Sequence, residues 1–216
     1  LSWRKRSKRN SYLMKTEILK SLFKSIENKK YIIVKSFDFL NLDDGIDIDI
    51  YCYSIFEIRD HIIKSFLEMN LGKDYSFKVK NLDSPLHLDL IFNRKLLIRF
   101  DLYEKIPKFK KVLVRESLFD ILVETRQKHN IDGIIFFKAN TPFNDMLRYI
   151  EYVEYFSLEN NKIKHLDYLE KNLKSHESFY NLVHYYIKFN FDKHSKKRRF
   201  NIEDLNIILA KVRQTP

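Results

Sequence analysis

The chain has 216 residues, of which 44% are hydrophobic; this length fits one domain or one domain with a helical extension, and the apolar content is enough for a real core. Its single cysteine, Cys52, excludes a disulfide framework and a cysteine-rich zinc site, so we expect a reducing, cytoplasmic setting; no apolar run approaches the roughly 20 residues of a transmembrane helix. The formal net charge of +11, from 40 Lys and Arg against 29 Asp and Glu, favours polyanionic partners such as nucleotides, nucleic acid or anionic membrane surfaces.

The N-terminal 30 residues are expected to form a basic arm followed by a helix. Because residue 1 is Leu, we expect a fragment or a domain of a longer protein. The first ten residues hold the densest basic cluster and are expected to form a frayed arm or an exposed helix start. Apolar residues recur at helical spacing from Leu13 to Ile26, which predicts a helix there. A first strand is predicted from Tyr31 to about Ser36.

Two aspartates alternate with isoleucines in the next strand. Residues 46–50 read Ile-Asp-Ile-Asp-Ile, and strict alternation is typical of a half-buried strand. Asp47 and Asp49 would then share one face, with Cα atoms roughly 6 to 7 Å apart. Like charges held side by side are tolerated most easily where a divalent cation neutralises them. The pattern therefore predicts a metal site at Asp47 and Asp49.

A capped helix and a hairpin follow. Ser54 and Glu57 form a capping box, and the apolar spacing after them predicts a helix that ends near Gly72. Two alternating runs, 86–92 and 96–103, flank a short polar turn at 93–95. The residues expected to share the core face of this hairpin are Leu86, Leu88, Leu90, Phe92, Leu96, Ile98, Phe100 and Leu102.

The opposite face of the hairpin collects four charged or titratable residues. If the turn is centred on Arg94, His87 pairs with Asp101 and Asp89 pairs with Arg99. Either Asp101 or Asp89 could add a third carboxylate to the metal site. His87 and Arg99 are expected to orient or balance the carboxylates.

The rest of the chain is predicted to be mainly helical. In order, we expect a strand at 111–114, a helix at about 117–129, a strand at 131–137, a helix that begins at Thr141-Pro142, helices at 160–172 and 177–189, a loop at 192–199 and a helix at 202–212.

These features resemble the DNA polymerase beta-like nucleotidyltransferase superfamily. Its members carry Gly-Ser after the first strand, Asp-x-Asp on the second strand and a third acid on a later strand. Here Lys35-Ser36 stands in the Gly-Ser position, and Asp47-Ile-Asp49 follows after a spacer. Four segments are more specifically similar to uncharacterised nucleotidyltransferase-like proteins of bacterial surface-polysaccharide gene clusters: 33–38 with 47–49, 99–103, 148–152 and 162–165.

The resemblance implies an α+β fold in which a mixed β-sheet is backed by helices and followed by a C-terminal helical region. The expected organisation is an arm and helix at 1–30, a catalytic domain at 31–140 and a helical region at 141–216. Asp47, Asp49 and a third acid, preferably Asp101 and otherwise Asp89, would bind Mg²⁺ or Mn²⁺. The residues expected to contact the nucleotide are Lys35, Ser36, Arg148, Lys162 and His165.

The expected activity is transfer of a nucleoside monophosphate from an NTP to a small or carbohydrate-linked acceptor, in surface-polysaccharide biosynthesis. Two alternatives stay open. Lys35 adds a Cβ and a charge where glycine lets the backbone approach a triphosphate, which favours a catalytically degenerate module that binds nucleotide or nucleic acid. An acidic cluster on a sheet also suits a metal-dependent phosphodiesterase.

Overall fold

The computed structural model describes residues 2–34, 45–80, 85–110, 112–155, 163–172 and 176–189. Within these ranges the elements are, in chain order, α1 (Ser2–Ser25), β1 (Tyr31–Ile33), β2 (Ile46–Cys52), α2 (Ile55–Glu68), β3 (Tyr75–Lys80), β4 (Leu86–Phe92), β5 (Lys95–Tyr103), β6 (Val112–Val114), α3 (Ser117–Glu124), β7 (Gln127–Ile131), β8 (Ile134–Lys138), α4 (Thr141–Tyr155), α5 (Ile163–Asn172), α6 (His176–Tyr186) and β9 (Ile187–Phe189).

The chain divides into two compact units. The first comprises residues 1–107 and 119–140, and the second comprises residues 108–118 and 141–216. The N-terminal helix α1, which the sequence analysis treated as a segment of its own, supplies core residues of the first unit. The segment 108–118, which includes β6, groups with the C-terminal unit.

A seven-stranded mixed sheet forms the centre of the first unit. Its strand order is β3-β4-β5-β2-β1-β8-β7. β2 runs parallel to β5 and β1 runs parallel to β8, whereas the other neighbouring pairs are antiparallel. The predicted α+β class, with a mixed sheet and flanking helices, is confirmed.

One face of this sheet packs against α1 and α2. Ile48 and Ile50 of β2 are completely buried in this core, where they join side chains from β4, β5 and both helices. Burying an aliphatic side chain of this size stabilises the fold by about 1.5 to 3 kcal/mol. Because side chains alternate along a strand, burial of Ile48 and Ile50 places Asp47 and Asp49 on the opposite face of the sheet. Ser54 caps α2 as predicted, accepting a hydrogen bond from the Glu57 backbone N–H at 3.2 Å.

The hairpin β4–β5 confirms the predicted partners but changes the turn. His87 lies opposite Asp101 and Asp89 lies opposite Arg99. The connection has only two residues, Asn93 and Arg94, which both have positive φ values of 48° and 65°, as in a type I′ turn. The shorter turn is compensated by a bulge, where the register shifts between Leu90 and Ile91. As a result Leu97 is buried in the core, and the prediction that Leu96 belongs there is wrong.

Other elements also differ from the predictions. The helix expected at 117–129 ends at Glu124, and 127–131 instead form β7, which pairs with β8 across a turn at Asp132 and Gly133. The helix expected to reach Phe189 stops at Tyr186, because its last three residues pair with β6 as β9. The edge strand β3 was missed. The loop and helix predicted at 192–199 and 202–212 lie outside the described residues.

The second unit contains α4, α5, α6 and the small sheet of β6 and β9. Tyr149 of α4 meets Phe179 of α6 edge to face, with ring centroids 5.7 Å apart. The backbone N–H of Arg115 donates to the carbonyl of Tyr186 and extends the β6–β9 pairing. Among the helices in the described ranges of the chain, none is long and apolar enough to cross a membrane.

Candidate functional site

Strand β2 places Asp47 and Asp49 on the face of the sheet that does not meet α1 and α2. Asp47 is exposed and Asp49 is half-buried, while the isoleucines between and after them are fully buried. Gly45, at φ 81°, turns the chain into β2, and its N–H donates to the carbonyl of Leu97 at 3.1 Å. This bond helps to hold the start of β2 against β5.

The parallel pairing of β2 and β5 brings a third carboxylate beside these two. In the observed register Asp47 lies next to Arg99, and Asp49 lies next to Asp101. Neighbouring strands are about 4.8 Å apart. Asp47, Asp49 and Asp101 therefore share one face of two adjacent strands.

The three carboxylates belong to a larger polar face that crosses four strands, β3, β4, β5 and β2. One row along the pairing direction contains Lys78, Asp89, Arg99 and Asp47, and the next row contains Lys80, His87, Asp101 and Asp49. The sign of charge alternates along the first row. In the second row two carboxylates are adjacent, so negative charge is concentrated between β2 and β5.

Asp101 is held by the histidine opposite it. Nδ1 of His87 lies 2.5 Å from Oδ1 of Asp101, and the two side chains are only 17% and 14% exposed. Burial raises the pKa of the Asp101 carboxyl above its ordinary value, and the nearby Asp49 and Asp47 carboxylates add to the rise, while the hydrogen bond from His87 opposes it. Any further positive charge nearby would stabilise the ionised form of the Asp101 carboxyl.

Asp89 forms ion pairs with Arg99 and Lys80. Its two carboxylate oxygens accept from Nε and Nη2 of Arg99 at 2.6 and 3.0 Å, and Nζ of Lys80 lies 3.5 Å away. The hydrogen bond from Arg99 holds the pKa of Asp89 below its ordinary value. Asp89 lies on β4, which β5 separates from β2. Of the two candidates for the third acid, only Asp101 is a direct neighbour of Asp49.

Aromatic residues continue the polar face past the carboxylates. Tyr103 donates a hydrogen bond from its hydroxyl to Oδ1 of Asp49 at 3.3 Å, and its ring meets Tyr51 edge to face at 5.3 Å. Tyr51 in turn stacks on Phe119 of α3 at 5.9 Å. The sequence analysis missed these tyrosines, although each stands two residues after an aspartate of the site, on the same strand face.

The donor set suits a hard divalent cation. Carboxylate oxygens are the ligands that Mg²⁺ and Mn²⁺ prefer. Among the residues that the structure describes, no group of three or more His, Cys, Asp or Glu side chains is arranged to hold a metal ion. Two of the three carboxylates are hydrogen-bonded to neighbours, Asp49 to Tyr103 and Asp101 to His87. The backbone register thus gathers three carboxylates on one face of two adjacent strands.

The residues predicted to contact a nucleotide fall into two groups. Lys35, Ser36 and Lys162 lie outside the described residues. Arg148 and His165 are both buried in the second unit, where Nη1 of Arg148 lies 3.5 Å from Nδ1 of His165. The Arg148 guanidinium carbon lies 3.9 Å from the ring centroid of Tyr168, and burial lowers the Arg148 pKa. The structure thus brings these two predicted residues together and packs Arg148 on an aromatic ring.

No protein-family model and no curated protein sequence matches the chain. The chemistry of the polar face is therefore the basis for inferring its function. Three carboxylates on adjacent strands can neutralise a divalent cation, and a cation held there can bind phosphate oxygens. Basic residues on the same face, Lys78, Lys80 and Arg99, add positive charge beside the acidic pair.

Proposed function

We propose that this protein is a metal-dependent nucleotidyltransferase that moves a nucleoside monophosphate from an NTP to a small or carbohydrate-linked acceptor. The observation that carries the proposal is the parallel register of β2 and β5, which sets Asp49 beside Asp101 with Asp47 on the same face. The mixed sheet and the Asp-x-Asp spacing agree with the resemblance to the DNA polymerase beta-like superfamily.

Each carboxylate has a role in this proposal. Asp47 and Asp49 would hold the divalent cations, and Asp101 would hold one of them and accept the proton of the acceptor hydroxyl. A bound Mg²⁺ or Mn²⁺ supplies charge neutralisation for an in-line displacement at phosphorus. Catalysis would come mainly from positioning and electrostatic stabilisation. The role in surface-polysaccharide biosynthesis is part of the same proposal and rests on the family resemblance alone.

Ligand-induced stabilisation is the first test. Thermal unfolding is measured with Mg²⁺ and each NTP in turn, for the wild type, Asp49→Asn and the control Asp60→Asn. The control makes the same change at an exposed position of α2. A ligand at 100 times its Kd adds about 2.7 kcal/mol, which at about 2 to 4 °C per kcal/mol raises Tm by about 5 to 11 °C. We expect this shift in the wild type and the control but not in Asp49→Asn. Absence of a shift with every NTP would overturn the proposal.

Product analysis then separates transfer from the alternatives. With the stabilising NTP labelled at the α-phosphate, release of pyrophosphate together with a labelled acceptor supports the transferase. Cleavage of a supplied phosphodiester supports a hydrolase instead. Metal-dependent binding with no turnover supports a degenerate binding module. In each case the Asp49→Asn protein is the negative control.

A further inference from the structure

We infer that His87 is a positioning residue that fixes the orientation of Asp101 for metal binding. This inference rests on the proposed function, because it concerns the third carboxylate of the same site. The geometry is a contact of 2.5 Å from His87 Nδ1 to Asp101 Oδ1, between two strands whose register places these residues directly opposite each other.

The contact limits how Asp101 can turn. A carboxylate that accepts a hydrogen bond on one oxygen presents its other oxygen in a defined direction. Both side chains are largely buried, so water competes little for the bond. Hydrogen bonds of this kind orient metal-binding carboxylates, and losing such a partner typically lowers metal affinity by about 10- to 100-fold.

His87 is also held in place by its own strand. β4 lies between the edge strand β3 and β5, and Leu86 and Leu88 on either side of His87 are buried in the core. Both the neutral tautomer with a proton on Nδ1 and the protonated imidazole can donate to Asp101. The positioning role therefore does not depend on the charge of His87.

Three substitutions of His87 test this role, and two of them differ in how far the side-chain nitrogen reaches. The side-chain nitrogen of asparagine is separated from Cα by the same bonds as histidine Nδ1, whereas that of glutamine corresponds to Nε2. We expect His87→Asn to keep the Mn²⁺ Kd within about threefold of the wild type, and His87→Gln and His87→Ala to raise it by at least about tenfold. Free Mn²⁺ is measured by electron paramagnetic resonance in titrations of the full chain, without nucleotide, so the readout does not require activity.

A control for charge comes from the adjacent residue in the same row. Lys80 lies opposite His87 on β3, and within the part of the chain that the structure describes its ion pair is with Asp89 and not with Asp101. Lys80→Ala removes a positive charge, so it should leave Mn²⁺ affinity unchanged or slightly higher. Equal weakening by Lys80→Ala and His87→Ala would overturn the positioning role.

The outcomes separate the inference from the proposed function. A wild-type chain that binds no Mn²⁺ overturns the inference, and the proposed function is then decided by the NTP-dependent shift in Tm. A wild type whose Mn²⁺ binding is lost in Asp49→Asn, but whose affinity is unchanged in His87→Gln and His87→Ala, overturns the inference and leaves the proposed function standing. Thermal unfolding of each variant confirms that it is folded. If His87→Ala does not fold, the comparison of His87→Asn with His87→Gln still tests the inference.

Discussion

Replacing Asp89 with asparagine should break the ion pair that Asp89 forms with Arg99 through two hydrogen bonds. The Asp89 side chain is 6% exposed and binds Arg99 through two charge-assisted hydrogen bonds, while the Arg99 side chain is 27% exposed. Removing one partner of a fully buried pair costs about 3 to 5 kcal/mol, but solvent around Arg99 reduces this. We therefore expect a loss of about 2 kcal/mol in the free energy of unfolding, within the range of charged hydrogen bonds. For a chain of this length Tm should fall by about 4 to 8 °C at pH 7.

The effect should depend on pH in a defined direction. The pKa of Asp89 is lowered in the folded state, so its ionisation stabilises the fold fully above the unfolded-state pKa of about 3.9. This contribution is lost as pH falls through the lower, folded-state pKa. The difference between wild type and Asp89→Asn should therefore be constant from pH 7 to about pH 5 and shrink below about pH 4.

The assay is urea unfolding of both proteins followed by circular dichroism across this pH range. Asp47→Asn is the matched control, because Asp47 lies on the other side of Arg99 in the same row but is exposed. An exposed charge contributes about 0 to 1 kcal/mol, so the free energy of unfolding of the control should change by less than about 1 kcal/mol. Equal destabilisation by the two variants, or a wild-type advantage that persists unchanged at acid pH, would refute the reasoning.

Three further predictions concern the scaffold, each checked by the free energy of unfolding in urea. Ser54→Ala removes the N-cap of α2 and should cost about 1 kcal/mol, whereas Ser76→Ala on the edge strand should cost less than about 0.5 kcal/mol. Arg94→Gly should stabilise by about 0.5 to 1 kcal/mol, because Arg94 has φ 65°. In the equivalent turn, Gly133→Ala at φ 80° should destabilise by about 1 to 2 kcal/mol. Arg94→Gly and Gly133→Ala should therefore change the free energy of unfolding in opposite directions.

Local pattern was sufficient where one face of an element is buried. The alternation in β2 and the capping serine at Ser54 were both predicted, and the pairing of His87 with Asp101 followed from the two alternating runs of the hairpin. In each case the information lies within a few residues of the chain. Once the apolar side chains of such an element are buried, its polar side chains can lie only on the opposite face.

The elements that were predicted wrongly are those whose structure depends on pairing with another strand. Residues 127–129 follow α3 without a strong breaker and were assigned to the helix, and Ile131 was assigned to the next strand, but 127–131 form one strand that pairs with β8 across a two-residue turn. Residues 187–189 similarly pair with β6 and leave the helix. The edge strand β3 has apolar Tyr75, Phe77 and Val79 in alternation, which is a strand signal that was overlooked.

The neighbour of Asp49 could not be derived from the sequence, because β2 and β5 are far apart in the chain and pair in parallel. No short turn fixes their register; the connection includes α2 and the strands β3 and β4. A slip of two residues would keep every isoleucine and leucine on the core face, yet it would set Arg99 or Tyr103 beside Asp49 in place of Asp101. In the register with Arg99 beside Asp49, Asp101 would lie opposite Tyr51, so the hydrophobic pattern alone does not place Asp101 beside an aspartate of β2. The proposed chemistry depends on the register that the whole sheet selects, including the Gly45 to Leu97 hydrogen bond at the start of β2 and the Tyr103 to Asp49 bond.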